Sequence, residues 1–286
     1  MIEFSSDKVK AIAVLLEDPS EDIQLLMEEQ LVKYSMPELR ELREKLAKIN
    51  IDLAFHLDEL LQQKTLASFV FELESLVLSG DFNLEKLVCF VARFIENDLT
   101  DEMIVHELDQ LAVKCMEHID RRPEGVLPEA ALSEYLGQLC RFRGNDKNYY
   151  AVGNSSIHCL LKNKKGLPIT LSILYILIGK RVGIPITGIA LPGHFIVGIE
   201  KEDKMIYLDP YNRGKFMTVS DCKSLVRRSG YPFSSDMLDS VDSKVIFFRI
   251  LNNLKFVFQR EGKVEEEEAV DTMIRIWTDQ VFKQVT

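Results

Sequence analysis

The chain is short of positive charge: 35 Lys and Arg stand against 45 Asp and Glu, for a formal net charge of -10 over 286 residues. Neutralising phosphates requires a basic surface, so this balance excludes a generic nucleic-acid binder. Long apolar runs are missing too. No stretch reaches the roughly 20 apolar residues that span a bilayer, and "MIEFSSDKVKAIAVLLEDPSED" turns acidic where a signal peptide would show a small-residue cleavage site. No membrane role is expected, and the expected location is the cytoplasm. Cysteine is scarce, with Cys89, Cys115, Cys140, Cys159 and Cys222 making an odd, widely spaced set. There is no CxxC pair and no histidine at zinc-ligand spacing, so a disulfide framework and a structural zinc site are excluded. Neither a metal nor a cofactor is expected. A sustained period of 30 to 45 residues is also absent, which excludes a helical-repeat array.

What is present is helical for the first 121 residues. Ile12, Leu15 and Leu16, then Leu25, Met27 and Leu31, recur at amphipathic spacing, and Pro19 and Pro37 punctuate short helices there. "IDLAFHLDELLQQ", "TLASFVFELESLVLSG", "NLEKLVCFVARFIEND" and "TDEMIVHELDQLAVKCMEHI" read as further helices, with Asn83 and Thr100 as N-caps and Gly80 as a stop. His106 and His118 have no ligand partner one turn away and read as ordinary helix residues. Beyond Arg121 the composition turns to loops around Pro123, Gly125, Pro128, Gly144 and Gly153. Helices over 155–163 and 168–182 follow, then strands from Ile186 to about Met217, and finally a helix hairpin joined near Glu261 and Gly262. Helices first and an antiparallel sheet later predict an α+β chain. The expected division is 1–63, a helical repeat-like region; 64–235, a core with a helical lead-in; and 236–286, a C-terminal helix hairpin of tetratricopeptide-like size.

The chemistry concentrates in "LPGHFIVGIEKEDKMIYLDP". Phe195, Val197 and Ile199 alternate with Ile196, Gly198 and Glu200 as a strand covered on both faces, and Lys201 to Asp203 make a turn into a returning strand. His194 and Asp209 therefore meet at one end of the ribbon. They share a face if opposed residue numbers sum to an odd value such as 403 or 405. A histidine held by a carboxylate has a fixed tautomer and a stabilised imidazolium, as a nucleophile's base requires. Upstream, "KKGLPITLSILYILIGKRVGIP" is a buried helix between Pro168 and Gly183, whose N-terminal N–H groups would suit a thiolate or oxyanion.

The order of a G-L-P helix start, "GIP", "GH" plus strand and strand plus "DP" resembles the transglutaminase-like superfamily, whose papain-like core uses Cys, His and Asp. The stretch from "RFRGNDKNYY" to "YLDPYNRGKFMT" is similar to its bacterial SirB-type branch, in which a helical N-terminal region packs on that core and tetratricopeptide repeats often follow. The resemblance implies that His194 and Asp209 occupy the catalytic histidine and aspartate positions. It puts the nucleophile fifteen residues before Gly183, at Pro168. Proline removes the thiol and also the backbone N–H that helps form an oxyanion hole, the latter worth about 3 to 4 kcal/mol in acyl-transfer enzymes. Three readings stay open. The chain is a non-catalytic module, a pseudoenzyme whose cleft, with Tyr149, Tyr150, Asn154, Tyr211 and Asn212 around His194 and Asp209, binds a protein or peptide. Or it is a hydrolase or amidase with a displaced nucleophile, Cys159 ahead of Thr170 or Ser172. Or the pair serves stability alone. His158, beside Cys159, is placed near the approach to the groove.

Overall fold

The computed structural model describes residues 4–202 and 204–282 and divides into two compact units, residues 1–73 and 74–286. Asp203, placed above in the strand-joining turn, lies outside the described residues.

In the first unit α1 (Ser6–Leu16), α2 (Glu21–Leu31) and α3 (Met36–Leu46) are short helices, and α4 (Ile51–Ser79) begins there. Each start has a local cause. The Ser5 hydroxyl accepts from the Lys8 N–H, and Ser35 and Glu38 form a reciprocal capping box with Pro37 in the first turn. Val9, Ile12, Leu16, Leu31, Leu39, Leu42, Leu46, Leu53 and Leu57 form the core, whereas Leu15 and Leu25, read as part of the apolar stripes, are exposed. The two helices expected over 51–63 and 65–80 are one 29-residue helix, α4. No Pro or Gly lies between them, so nothing local stops the helix, and the Thr65 hydroxyl is accommodated within it by the Leu61 carbonyl at 2.7 Å.

The second unit opens with α5 (Leu84–Ile95), α6 (Asp101–Asp120) and α7 (Pro128–Glu134), the last extended by a π turn over Tyr135–Leu139. Asn83 caps α5 and Thr100 caps α6 with side-chain bonds, and Gly80 ends α4 at a φ of 68°. Then come β1 (Arg143–Gly144), α8 (Ile157–Asn163), β2 (Lys165–Gly166) and α9 (Pro168–Arg181). Four strands, β3 (Ile186–Ile189), β4 (Ile196–Lys201), β5 (Lys204–Asp209) and β6 (Lys215–Met217), lead to α10 (Val219–Arg228) and β7 (Ser240–Val241). The five strands pair antiparallel in the order β6-β5-β4-β3-β7, and β1 and β2 make a short parallel pair. The chain is α+β.

Helix α9 is buried from Pro168 to Tyr175 and lies close against the sheet at Gly179, where a Cβ would stand 2.6 Å from Ile186. The C-terminal pair, α11 (Ser243–Glu261) and α12 (Val264–Trp277), turns at Gly262 with a φ of 69°. Its aromatic faces lock onto α5, Phe247 on Phe90 at 6.1 Å and Phe258 on Phe94 at 6.2 Å between ring centres. Fully burying side chains of this size contributes about 2 to 3 kcal/mol each.

Candidate functional site

His194 is set by a turn. Gly193 before it has a φ of 73°, and a Cβ there would come 2.6 Å from the Ser229 hydroxyl, so only glycine fits. The His194 N–H then donates to the Leu191 carbonyl at 3.1 Å, and the chain enters β4. Pairing of Val197 with Leu208 and Ile199 with Ile206 gives opposed numbers summing to 405, the odd register that puts His194 and Asp209 on one face. The ring presents Nε2 to Asp209 Oδ1 at 3.0 Å, with both side chains buried. The approach is close but off the line of a directed hydrogen bond, leaving Nε2 without a well-angled partner. Burial by itself would raise the Asp209 carboxyl, yet contact with His194 and hydrogen bonds from Asn212 bring it below the usual carboxylate range.

Asp209 is held from behind by its own turn. Tyr211 and Asn212 donate backbone N–H groups to Oδ1 at 3.0 and 3.3 Å, and the Asn212 side chain donates to Oδ2 at 2.7 Å. Asn212 therefore orients the carboxylate. The turn closes at Gly214, with a φ of 73°, whose carbonyl accepts the Ser133 hydroxyl at 2.6 Å.

A chain of three tyrosines runs outward from the pair. Tyr211 meets the His194 ring edge-on at 5.8 Å and donates its hydroxyl to Asp146 at 2.8 Å. Burial and the Asp146 carboxylate both push the Tyr211 hydroxyl up. Gly144 makes room for this ring, since a Cβ there would stand 2.2 Å from it. Tyr149 lies 6.4 Å from Tyr211 and 5.1 Å from Tyr150, and Tyr150 reaches Phe256 of α11 at 5.5 Å. Asn154, buried, pins this loop: its amide donates to the Asn148 and Tyr149 carbonyls at 2.6 and 2.8 Å and accepts from Asn145 at 2.8 Å. Its backbone carbonyl takes the Leu167 N–H and the Thr170 hydroxyl, tying the tyrosine loop to the start of α9. All five expected binding residues thus join one network with His194 and Asp209. Tyr149, Tyr150 and Tyr211 present faces, whereas Asn154 and Asn212 are struts.

The model of the transglutaminase-like superfamily matches residues 102–252, about half of the chain and the segment that holds this network. The chain belongs to the transglutaminase-like superfamily. Similar curated proteins include a UPF0162 protein of Xylella fastidiosa, 29% identical over 182 residues, 60% of this chain and 65% of that one. Another UPF0162 protein, from Vibrio cholerae, is 31% identical over 149 residues, covering 51% of this chain and 54% of its own. F-box only protein 21 of Homo sapiens is 28% identical over 163 residues, 53% of this chain and 26% of its own length. The chain therefore spans less than two thirds of the length of these relatives. No solved structure matches it.

In this transglutaminase-like domain Pro168 is the first residue of α9 and is buried. The nearby hydroxyls are committed elsewhere: Thr170 donates to the Asn154 carbonyl at 2.8 Å and Ser172 to the Phe195 carbonyl at 3.3 Å, both buried. Cys159 belongs to a second cluster. Its sulfur donates to Glu96 Oε1 at 3.2 Å, and the same carboxylate takes the Ser156 hydroxyl at 3.2 Å and His158 Nδ1 at 3.1 Å. Burial and Glu96 push the Cys159 thiol up to about 11, opposite to the direction an attacking thiolate needs. His106 contacts Gln110 at 2.9 Å, and His118 sits 3.4 Å from Glu134. Among the described residues no group of His, Cys, Asp or Glu could hold a metal, and no helix is long and apolar enough to cross a membrane.

Sequence reasoning missed the wall built by α11. Arg249 donates from one terminal nitrogen to the Leu191 and His194 carbonyls at 2.8 and 2.9 Å and lies over the Phe195 ring at 5.5 Å. Burial draws its guanidinium below the ordinary value, with Tyr149 opposing. Arg260 covers the Tyr150 ring at 4.2 Å. Arg249, Phe256 and Arg260 recur at i, i+7 and i+11, a polar-aromatic stripe within an apolar hairpin, and that spacing was the available signal.

Proposed function

We propose that this chain is a non-catalytic transglutaminase-like protein, a pseudoenzyme whose former catalytic cleft binds a protein or peptide segment. The observation that carries the reading is Pro168 as the first residue of α9, where the superfamily places its nucleophile. It supplies neither a thiol nor a backbone N–H. Among the described residues no nucleophile is bonded to the His194–Asp209 pair, and Thr170 and Ser172 donate to carbonyls and Cys159 to Glu96. The three tyrosines give such a cleft broad faces at low side-chain entropy, which suits contact with a peptide. Five free cysteines fit a reducing cytoplasm.

The reading is tested by selecting peptides on the full chain and measuring their affinity by fluorescence anisotropy, with mass spectrometry of the recovered peptide. The expected result is binding that His194→Ala with Asp209→Ala weakens at least tenfold, with the peptide recovered unchanged. Cleavage or deamidation of the peptide, lost on Cys159→Ser, would replace this reading with that of a cysteine-dependent hydrolase.

A further inference from the structure

Three partly buried arginines elsewhere in the chain are met by carboxylates, whereas Arg122 donates, among the described residues, only to the Ile119 and Val126 carbonyls. Arg43 faces Asp58 at 2.8 Å, Arg93 faces Asp101 at 2.7 Å, and Arg181 faces Asp109 at 2.7 Å as well as Glu85. Arg249 is half-buried and has no carboxylate partner among the described residues, in a chain with 45 acidic side chains available. Its one spent nitrogen holds the His194 and Leu191 carbonyls, and its flat face rests on Phe195. The other edge of the guanidinium, Nε and the second terminal nitrogen, donates to nothing among the described residues. A guanidinium fixed on one edge and open on the other is preorganised for a bidentate carboxylate. Arg260, exposed and stacked on Tyr150, likewise has no carboxylate partner among the described residues. Two carboxylates of the same network are already engaged, Asp209 by His194 and Asn212 and Asp146 by Tyr211.

We infer that the cleft recognises an acidic peptide in extended conformation, one carboxylate gripped by Arg249 beside His194 and a second lying over Arg260. This rests on the peptide-binding reading above and names its ligand class. Arg249 and Arg260 are eleven residues apart on α11, a rise of about 16 Å along the helix. An extended peptide covers that span in about five residues. Tyr150 lies under Arg260 and Tyr149 packs against Tyr150 at 5.1 Å, so their faces are offered to the side chains between the two carboxylates. The shared chemistry is a carboxylate, which a side chain or a peptide C-terminus can supply.

The test uses the full chain on an array of eight-residue peptides with glutamates at positions 2 and 7 and all other positions varied. Each peptide is paired with its glutamine isostere, and each is made with a free and an amidated C-terminus. The expected result is that glutamate peptides bind at least tenfold more tightly than their isosteres and lose that advantage at high salt. Arg249→Lys and Arg260→Gln should each remove most of the difference. Arg260 is exposed and Arg249→Lys keeps the charge, so thermal unfolding should show both variants folded. A glutamate advantage with amidated ends assigns the contact to side chains, and a tenfold loss of binding on amidation within one series assigns one contact to the terminal carboxylate. Equal binding of glutamate and glutamine peptides with no loss on amidation, or an advantage that survives both arginine substitutions, overturns the acidic-ligand inference and leaves peptide binding standing. No binding of either series overturns both.

Discussion

His194 reaches Asp209 because two glycines around the pair accept backbone shapes that other residues resist. Gly214 has a φ of 73°, and a Cβ on it would lie 2.1 Å from the Ser133 hydroxyl and 2.6 Å from that of Tyr175. Gly214→Ala is expected to cost about 2 kcal/mol from left-handed strain and overpacking. Chemical denaturation measures the loss, and the displaced turn should appear as shifted His194 ring resonances. The two thiol positions make opposite predictions. Cys159, held up near 11 by burial and Glu96, should react with iodoacetamide at pH 7.5 more slowly than a small-molecule thiol. A cysteine introduced by Pro168→Cys sits at the N-terminus of a long helix and should react faster than Cys159 in the same protein. Equal rates would show that the α9 start does not favour a thiolate.

At the scale of elements, α11 serves both the core and the cleft. One face buries Phe247, Leu251, Leu254 and Phe258, and another carries Arg249, Phe256 and Arg260. The core face holds because Trp277 of α12 packs 4.6 Å from Phe247 and 5.3 Å from Phe82, with its indole N–H donated to the Lys244 carbonyl at 3.2 Å. Trp277→Ala is expected to destabilise by about 3 to 5 kcal/mol and to weaken any ligand that contacts α11. Unfolding curves and binding titrations, compared with a surface substitution such as Val264→Ala, separate the two effects. Helix starts were legible in the sequence at Asn83, Thr100 and Pro168, because caps and first-turn prolines act within one turn and need no distant partner. The break expected near Thr65 was not there, since nothing local opposes continuation and apolar burial on both halves favours one helix.

At the scale of the molecule, pH acts through carboxylates set below their usual range. Asp209 and Glu96 are both lowered, the first by His194 and Asn212 against burial, the second by His158, Cys159 and Ser156 against burial. A carboxyl depressed in the folded state adds stability that is complete above the unfolded value, near about pH 4, and is lost as pH falls through the lower folded value. Acid titration of unfolding should therefore show a declining limb below pH 4 that Asp209→Asn makes shallower. A limb unchanged by that substitution would place the acid sensitivity elsewhere.

Much of this protein was determined by order along the chain. Helical spacing set most of the first 121 residues, a short apolar run bounded by turns set β4, and the separation of "GH" from "DP" with a short turn brought His194 to the end of the ribbon where Asp209 lies. These are local or nearest-neighbour effects, so residue types in sequence suffice to specify them. Other features waited for the tertiary structure. Whether His194 and Asp209 share a face depended on a register differing by a single residue between two outcomes. That Asn154 ties the tyrosine loop to α9, that Cys159 faces Glu96, and that Arg249 stands beside His194 depends on contacts between segments up to 63 residues apart. Such contacts arise when burial brings distant surfaces together, and spacing along one strand or helix carries no record of them.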